Sequence, residues 1–304
     1  SFAASTGGQS LTFVYVDDIE GWKNVQDSTS NATGTVPFIQ ATGGTETTSG
    51  DFKIHTFTGP GTFTVSAASN VCSARNTVGY LVVAGGGGGG ANRGGGGGAG
   101  GFREGRNAPI DNFTASPLVA NAPTNAVTVT SQAYPITVGA GGNGAVYPQI
   151  APNGNVSTFD SITSAGGGGG GGAFTCSGAG ATGGSGGGGA GYDATSSPGA
   201  AGNTPPTSPA QGTSGGSGAP QQPGGAGGGG GGATSPGGTA SGSSGGNGGG
   251  GTTSEISASP VTRAGGGGGG PWNSGSTSGG SGGGGGGVKT TPNTAANPGT
   301  ANTG

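Results

Sequence analysis

The chain has 304 residues, of which 85 are glycine, only 28% are hydrophobic and 6% are charged, with a formal net charge of −3. Glycine at roughly four times its usual ~7%, with no Gly-X-Y period and only 19 prolines, excludes a collagen triple helix. The balance of 8 basic to 11 acidic side chains argues against a nucleic-acid backbone binder, and no apolar run approaches the ~18 residues of a membrane span.

In chain order, residues 11–16 (LTFVYV) read as a strand from their branched and aromatic content. Trp22 falls in a turn-rich connection, and residues 36–41 read as a second strand, kept to a sheet edge by Pro37. Residues 51–57 alternate polar and apolar side chains, Gly59-Pro60-Gly61 is a turn, and residues 62–65 return, which predicts a hairpin. Residues 80–84 form an apolar strand that runs directly into six glycines. Residues 1–80 hold only 10 of the 85 glycines but 9 of the 19 charges, so they are read as a separate β-strand module for attachment or assembly.

From residue 85 the glycines come in runs of similar length: 85–90, 94–98, 166–172, 186–189, 227–232, 248–251, 265–270 and 282–287. Shorter interrupted stretches lie at 178–184 and 215–225, and residues 107–138 form an insertion whose segments 127–130 and 134–138 read as a second hairpin. A flexible linker has no need of runs of matched length. A chain without Cβ atoms can instead adopt the extended left-handed helix of three residues per turn, rising ~3.1 Å per residue. Packed side by side, such helices hydrogen-bond to neighbours in several directions, and any interior side chain forces them apart. The fold expected is therefore mainly β plus irregular, with essentially no α-helix. A polyglycine II bundle occupies residues 81–288, the spacers turn the chain between crossings, and residues 289–304 form an extended C-terminal segment. Methionine is absent even at position 1, so the chain is expected to be processed or a piece of a longer protein.

Few residues offer chemistry. Matches to GxGxxG carry no information in so glycine-rich a chain, and Val288 between Gly287 and Lys289 rules out a P-loop. His55, the one histidine, is read as a surface strand residue, and nothing places a third group beside it and Cys72 for nucleophilic catalysis. No enzyme and no cofactor are expected. Asp17, Asp18 and Glu20 form an acidic turn that could hold a divalent cation with carbonyl help. Cys72 and Cys176 either pair across the domain or remain two buried thiols. Phe102, Phe174, Tyr192 and Trp272 stand between glycine runs, where an aromatic either caps the bundle end or meets a receptor.

The stretch from Tyr80 through Gly90, residues 93–98 and 101–105, and residues 134–142 together resemble the glycine-rich domain of phage tail fibres. Residues 21–28 and 54–65 are similar to tail-fibre proteins of marine cyanophages and related marine bacterial viruses. The expected architecture also resembles the polyglycine II tip adhesins of T-even-like phages. The resemblance implies a virion tail-fibre component or adhesin, extracellular, whose loops recognise a host polysaccharide or outer-membrane protein. It implies other fibre or virion proteins as partners and a homo-oligomer, trimeric or filamentous, with no nucleic acid and no membrane insertion. A purely structural fibre subunit is the alternative.

Overall fold

The computed structural model describes residues 11–15, 22–27, 36–145, 150–172, 178–191, 195–272, 275–288 and 297–304. Short strands carry the regular structure: β1 (Leu11–Tyr15), β2 (Trp22–Asp27), β3 (Gln40–Thr42), β4 (Thr45–Ser49), β5 (Phe52–Thr56), β6 (Gly61–Ala67), β7 (Thr77–Val78), β8 (Tyr80–Val83), β9 (Phe102–Gly105), β10 (Val127–Thr128), β11 (Ala133–Thr137), β12 (Ser157–Phe159), β13 (Ile162–Ser164), β14 (Thr252–Ser254), β15 (Val261–Arg263), β16 (Ser276–Thr277) and β17 (Gly287–Val288). Helix among the described residues is confined to a 3₁₀ turn at Ser73–Arg75 and one turn at Gln221–Gly224. The expected mainly β, irregular fold class is what the chain adopts. One antiparallel sheet has five strands in the order β13-β12-β11-β6-β3, and the remaining strands form antiparallel pairs.

Several strands exist where the sequence placed them but choose other partners. Trp22 opens β2 and sits opposite Tyr15, so the connection ends before it. Of residues 36–41 only the end joins a ladder. The Pro37 carbonyl instead accepts from Ser69 Oγ at 3.1 Å and Arg75 Nη1 at 3.2 Å, and Val36 N–H donates to Asn70 Oδ1. β5 does not pair with β6. It folds back on β4 through a two-residue turn in which Gly50 takes φ +56°, the left-handed conformation that tight hairpins need. β6 is then free to pair with β3 on one side and β11 on the other. The second expected hairpin separates likewise, β10 going to β7 and β11 to β6 and β12. The five-stranded sheet therefore draws strands from both sides of residue 80, β3 and β6 from before it and β11, β12 and β13 from after it.

The glycine runs are held by backbone hydrogen bonds that repeat every three residues. In the 227–232 run, Gly227, Gly230 and Ala233 donate to Gly270, Gly267 and Ala264. Gly228 and Gly231 donate to Gly189 and Gly186, and Gly229 and Gly232 to Gly238 and Ser235. Successive N–H groups thus address three different neighbours in rotation. Elsewhere Ala84, Gly87 and Gly90 donate to Gly101, Gly98 and Gly95, while Gly95, Gly98 and Gly101 donate to Gly171, Gly168 and Ala165. A strand ladder alternates between two sides, whereas the bonds of these runs rotate through three.

Stretches with fewer glycines cross the bundle too, which the reading of spacers as turns did not anticipate. Ala200 and Asn203 donate to Gly187 and Gly184, while Gly199 and Gly202 lie close against the Gly215 and Thr213 carbonyls. Pro198, Ala201 and Thr204, again three apart, are exposed or partly so. Near the C-terminus Asn297 and Thr300 donate to Gly286 and Gly283, and Thr303 accepts from Ala264. A peripheral crossing needs small residues only on the sides that meet neighbours.

A small cluster joins Ala219, Ala226 and Ala240, and two larger side-chain cores are divided by β8. Its alternate residues Tyr80 and Val82 join Phe63, Val65, Val127, Val129, Tyr134 and Ile162 in one cluster. Leu81 and Val83 face the other way and pack against Phe102, Ala99, Ala233 and Ala264. The first cluster is braced by near edge-to-face rings, with Phe63 and Tyr134 6.0 and 6.2 Å from Phe159. The small β-sheets thus form conventional cores, while the bundle is held by its backbone.

Candidate functional site: a polar cleft beside Trp272

Of the four aromatic residues proposed from sequence as receptor contacts, Phe102 is corrected by the structure. It is only 1% exposed, in β9 opposite Val83, at the centre of the second core. The period-two alternation of β8 and β9 turns it inward, and the apolar stripe formed by Leu81, Val83 and Ala99 covers it. Phe174 and Tyr192 lie outside the described residues, as do Asp17, Asp18 and Glu20 of the candidate cation turn. Cys72 is exposed rather than buried and is a free thiol, and Cys176 lies outside the described residues. His55 is half-buried, its Nδ1 2.8 Å from the Gly43 carbonyl and its ring edge-on to Phe63 at 5.0 Å.

Trp272 is at the surface, 41% exposed, just beyond the 265–270 run. Its orientation is set by three contacts. The Arg93 guanidinium lies 4.1 Å from the ring centroid, a cation–π geometry. The Trp272 backbone N–H donates to the Ser243 carbonyl at 3.0 Å. Gly224, at φ +135°, brings its backbone close enough that a Cβ would stand 3.1 Å from the indole Cδ1. Arg93 is itself buried, at φ +61° in the turn between two glycine runs, and its carbonyl accepts from Gly191. The bundle therefore fixes the cation that fixes the indole.

Beside Trp272 opens a cleft of about 210 Å³ lined by Ser243, Ser244, Asn247, Pro271, Ser276 and Thr277, with glycines between them. Two lining side chains are committed to the scaffold: Thr277 Oγ1 donates to the Gly269 carbonyl at 2.6 Å, and Asn247 Oδ1 accepts from Ser278 N–H at 3.1 Å. No hydrogen bond within the described residues engages the hydroxyls of Ser243, Ser244 and Ser276 or the Asn247 amide nitrogen. Ser243 is partly exposed, and Ser244, Ser276 and Asn247 are exposed. Among the described residues no Asp, Glu, Lys, Arg or His lines the cleft. Its chemistry is that of neutral hydrogen-bond donors and acceptors.

A family model described as a glycine-rich domain matches residues 56–304. The chain belongs to this glycine-rich domain family. The match takes in the five-stranded sheet from β6 onward together with every glycine run. No curated protein and no solved structure gives a significant match. Among the described residues no helix is long and apolar enough to cross a membrane.

Sequence reasoning missed two buried polar residues of this glycine-rich domain. Glu104, 1% exposed, accepts from the Ser116 N–H at 2.7 Å and from Ser254 Oγ, joining β9 to β14 across 150 positions of sequence. Burial pushes the Arg263 guanidinium below its usual range, and the Glu104 charge opposes that shift. Gln211, also 1% exposed, accepts from Ala165 N–H through Oε1 and donates to the Pro205 carbonyl through Nε2, while its backbone carbonyl receives Phe102 N–H. Glu104 had one legible signal, an acidic residue inside an apolar strand next to glycines. Gln211 had none.

Proposed function

We propose that this glycine-rich domain protein is a phage tail-fibre component or adhesin, a binding protein rather than an enzyme, that presents loops on a rigid backbone scaffold for recognition of a host surface polysaccharide or outer-membrane protein. The observation that carries the reading is the division of labour in the chain. The runs are bare and bonded to one another, whereas polar and aromatic variety lies in the connections and peripheral crossings, and one set of connections builds a cleft next to a fixed, half-exposed Trp272. A scaffold whose interior is mostly bare backbone leaves its loops free to vary, the situation in which binding residues concentrate on loops. The scaffold is proposed to be a bundle of polyglycine II helices, supported by the three-residue rotation of its hydrogen bonds. The proposed location is the virion, outside the cell, with other fibre proteins and further copies of the chain as neighbours.

The test uses the purified chain on bacterial cells to which a phage carrying it adsorbs. Saturable binding that also reduces phage adsorption is expected. Absence of binding where the whole phage adsorbs overturns the reading in favour of a purely structural fibre subunit, which would show as end-to-end assembly at high protein concentration.

A further inference from the structure

The cleft beside Trp272 has a chemistry narrow enough to name its ligand class. Resting on the receptor-recognition reading above, we infer that this cleft binds one neutral pyranose unit of a surface glycan, a hexose or N-acetylhexosamine. Size is the first argument. At about 210 Å³ the cleft is smaller than the ~300–1,000 Å³ that encloses a drug-sized ligand, and it matches a single sugar ring and not a peptide loop.

Charge is the second argument. Among the described residues the lining has no ionic side chain, so an acidic sugar, a phosphate or a charged peptide would be desolvated without a partner, at substantial cost. The nearby cation Arg93 is already laid over the face of the indole.

The third argument is the pattern of hydrogen-bonding groups left over. Ser243, Ser244 and Ser276 offer three hydroxyls and Asn247 an amide N–H₂, groups that both donate and accept or donate in pairs. A sugar hydroxyl does the same, so each can be satisfied in either sense. Thr277 and the second Asn247 polar atom hold the walls in place through Gly269 and Ser278. Part of the lining is therefore preorganised, which lowers the ordering cost of binding. Trp272 follows the lining residue Pro271 in the chain and donates its backbone N–H to the Ser243 carbonyl, so its emission can report on the cleft.

The two sides of the cleft come from chain segments brought together by the bundle. Ser243, Ser244 and Asn247 belong to the connection before the 248–251 run, and Pro271 and Ser276 to the connection after 265–270. The two runs are bonded to each other, Gly266 donating to Gly249 and Gly269 to Gly246. The backbone lattice thus sets the width of the cleft.

The test uses the full chain in a Trp22→Phe background, so that Trp272 is the one fluorophore of its kind. The protein is applied to an immobilised panel of neutral oligosaccharides (glucose, galactose, mannose and N-acetylglucosamine types) together with sialylated and sulfated ones, and hits are titrated in solution by Trp272 emission. At least one neutral saccharide is expected to bind saturably and shift the emission, with acidic saccharides no stronger. The double variant Ser244→Ala/Ser276→Ala is expected to weaken that binding about tenfold or more while leaving the melting temperature unchanged. No neutral saccharide binding at millimolar concentration by the folded protein overturns the inference, as does binding that is indifferent to both the double variant and Trp272→Ala. A double variant that binds cells and blocks phage adsorption as well as the parent removes the sugar cleft but leaves the receptor reading standing. Neutral-sugar binding at the cleft by a protein that binds no cells does the reverse.

Discussion

Glu104 shows how much a single polar residue can hold in a chain with so few charges. Its carboxylate receives a backbone N–H from Ser116 and a hydroxyl from Ser254, and its charge acts on the Arg263 guanidinium in the same region. In Glu104→Gln one acceptor becomes a donor pointed at donors, and the guanidinium loses its counter-charge. Hydrogen bonds to charged groups contribute about 1.5–3 kcal/mol each, so the variant is expected to lose at least ~2 kcal/mol by chemical denaturation. Unchanged stability would mean that the Ser116 and Ser254 contacts contribute little. Tyr80 gives a prediction in pH. Its hydroxyl donates to the Thr124 carbonyl at 2.7 Å, and burial pushes its ionisation above the ordinary value, with Arg103 opposing. The folded state therefore keeps the phenolic proton where the unfolded chain, near pH ~10, has begun to lose it. Stability is full below pH ~10 and falls as pH rises through the raised value. Tyr80→Phe should flatten that alkaline decline in a series of melts, at some cost near neutrality from the lost hydrogen bond.

At the scale of the element, the runs behave unlike strands or helices because their contacts are between backbones. A Cβ at Gly168 would fall against the Ala181 carbonyl oxygen and one at Gly229 against that of Asn247, both well inside contact distance. Valine at either place must separate two crossings and break the bonds between them, Ala181→Gly169 in the first case or Gly246→Gly227 and Gly249→Gly230 in the second. With about 1 kcal/mol per lost hydrogen bond and ~1–3 kcal/mol for overpacking, each variant is expected to lose at least ~3 kcal/mol. Gly141 is the internal control. A Cβ there would make only an ordinary contact, 3.5 Å from the Gly86 carbonyl oxygen, so Gly141→Ala should be neutral or stabilise by up to ~1 kcal/mol through the unfolded chain. Equal melting of all three variants and the parent would show that the runs are not packed crossings.

At the scale of the whole molecule, much of the scaffold was legible in the sequence and little of its wiring. Residues 11–15 and 80–83 were recognisable as strands from branched and aromatic content, and the 85–90 or 227–232 run from the impossibility of placing a side chain between touching backbones. Strand partners were not legible: β5 and β6 looked like a hairpin, yet β6 found β11 about seventy residues away. Peripheral crossings such as 198–204 read as spacers because only two of every three positions meet a neighbour there. For the candidate site, Trp272 could be picked out by its place after a glycine run, but Phe102 could not be told from it, since both are aromatics beside a glycine run. The sequence by itself determined that this protein must be held by its backbone, because 85 glycines and so few large apolar side chains leave no other source of cohesion. Tertiary structure alone decided which connections lie side by side. A backbone lattice of identical glycines carries no side-chain code for its neighbours, so the meeting of Ser243 with Ser276, and of Arg93 with Trp272, is fixed only once every crossing has its place.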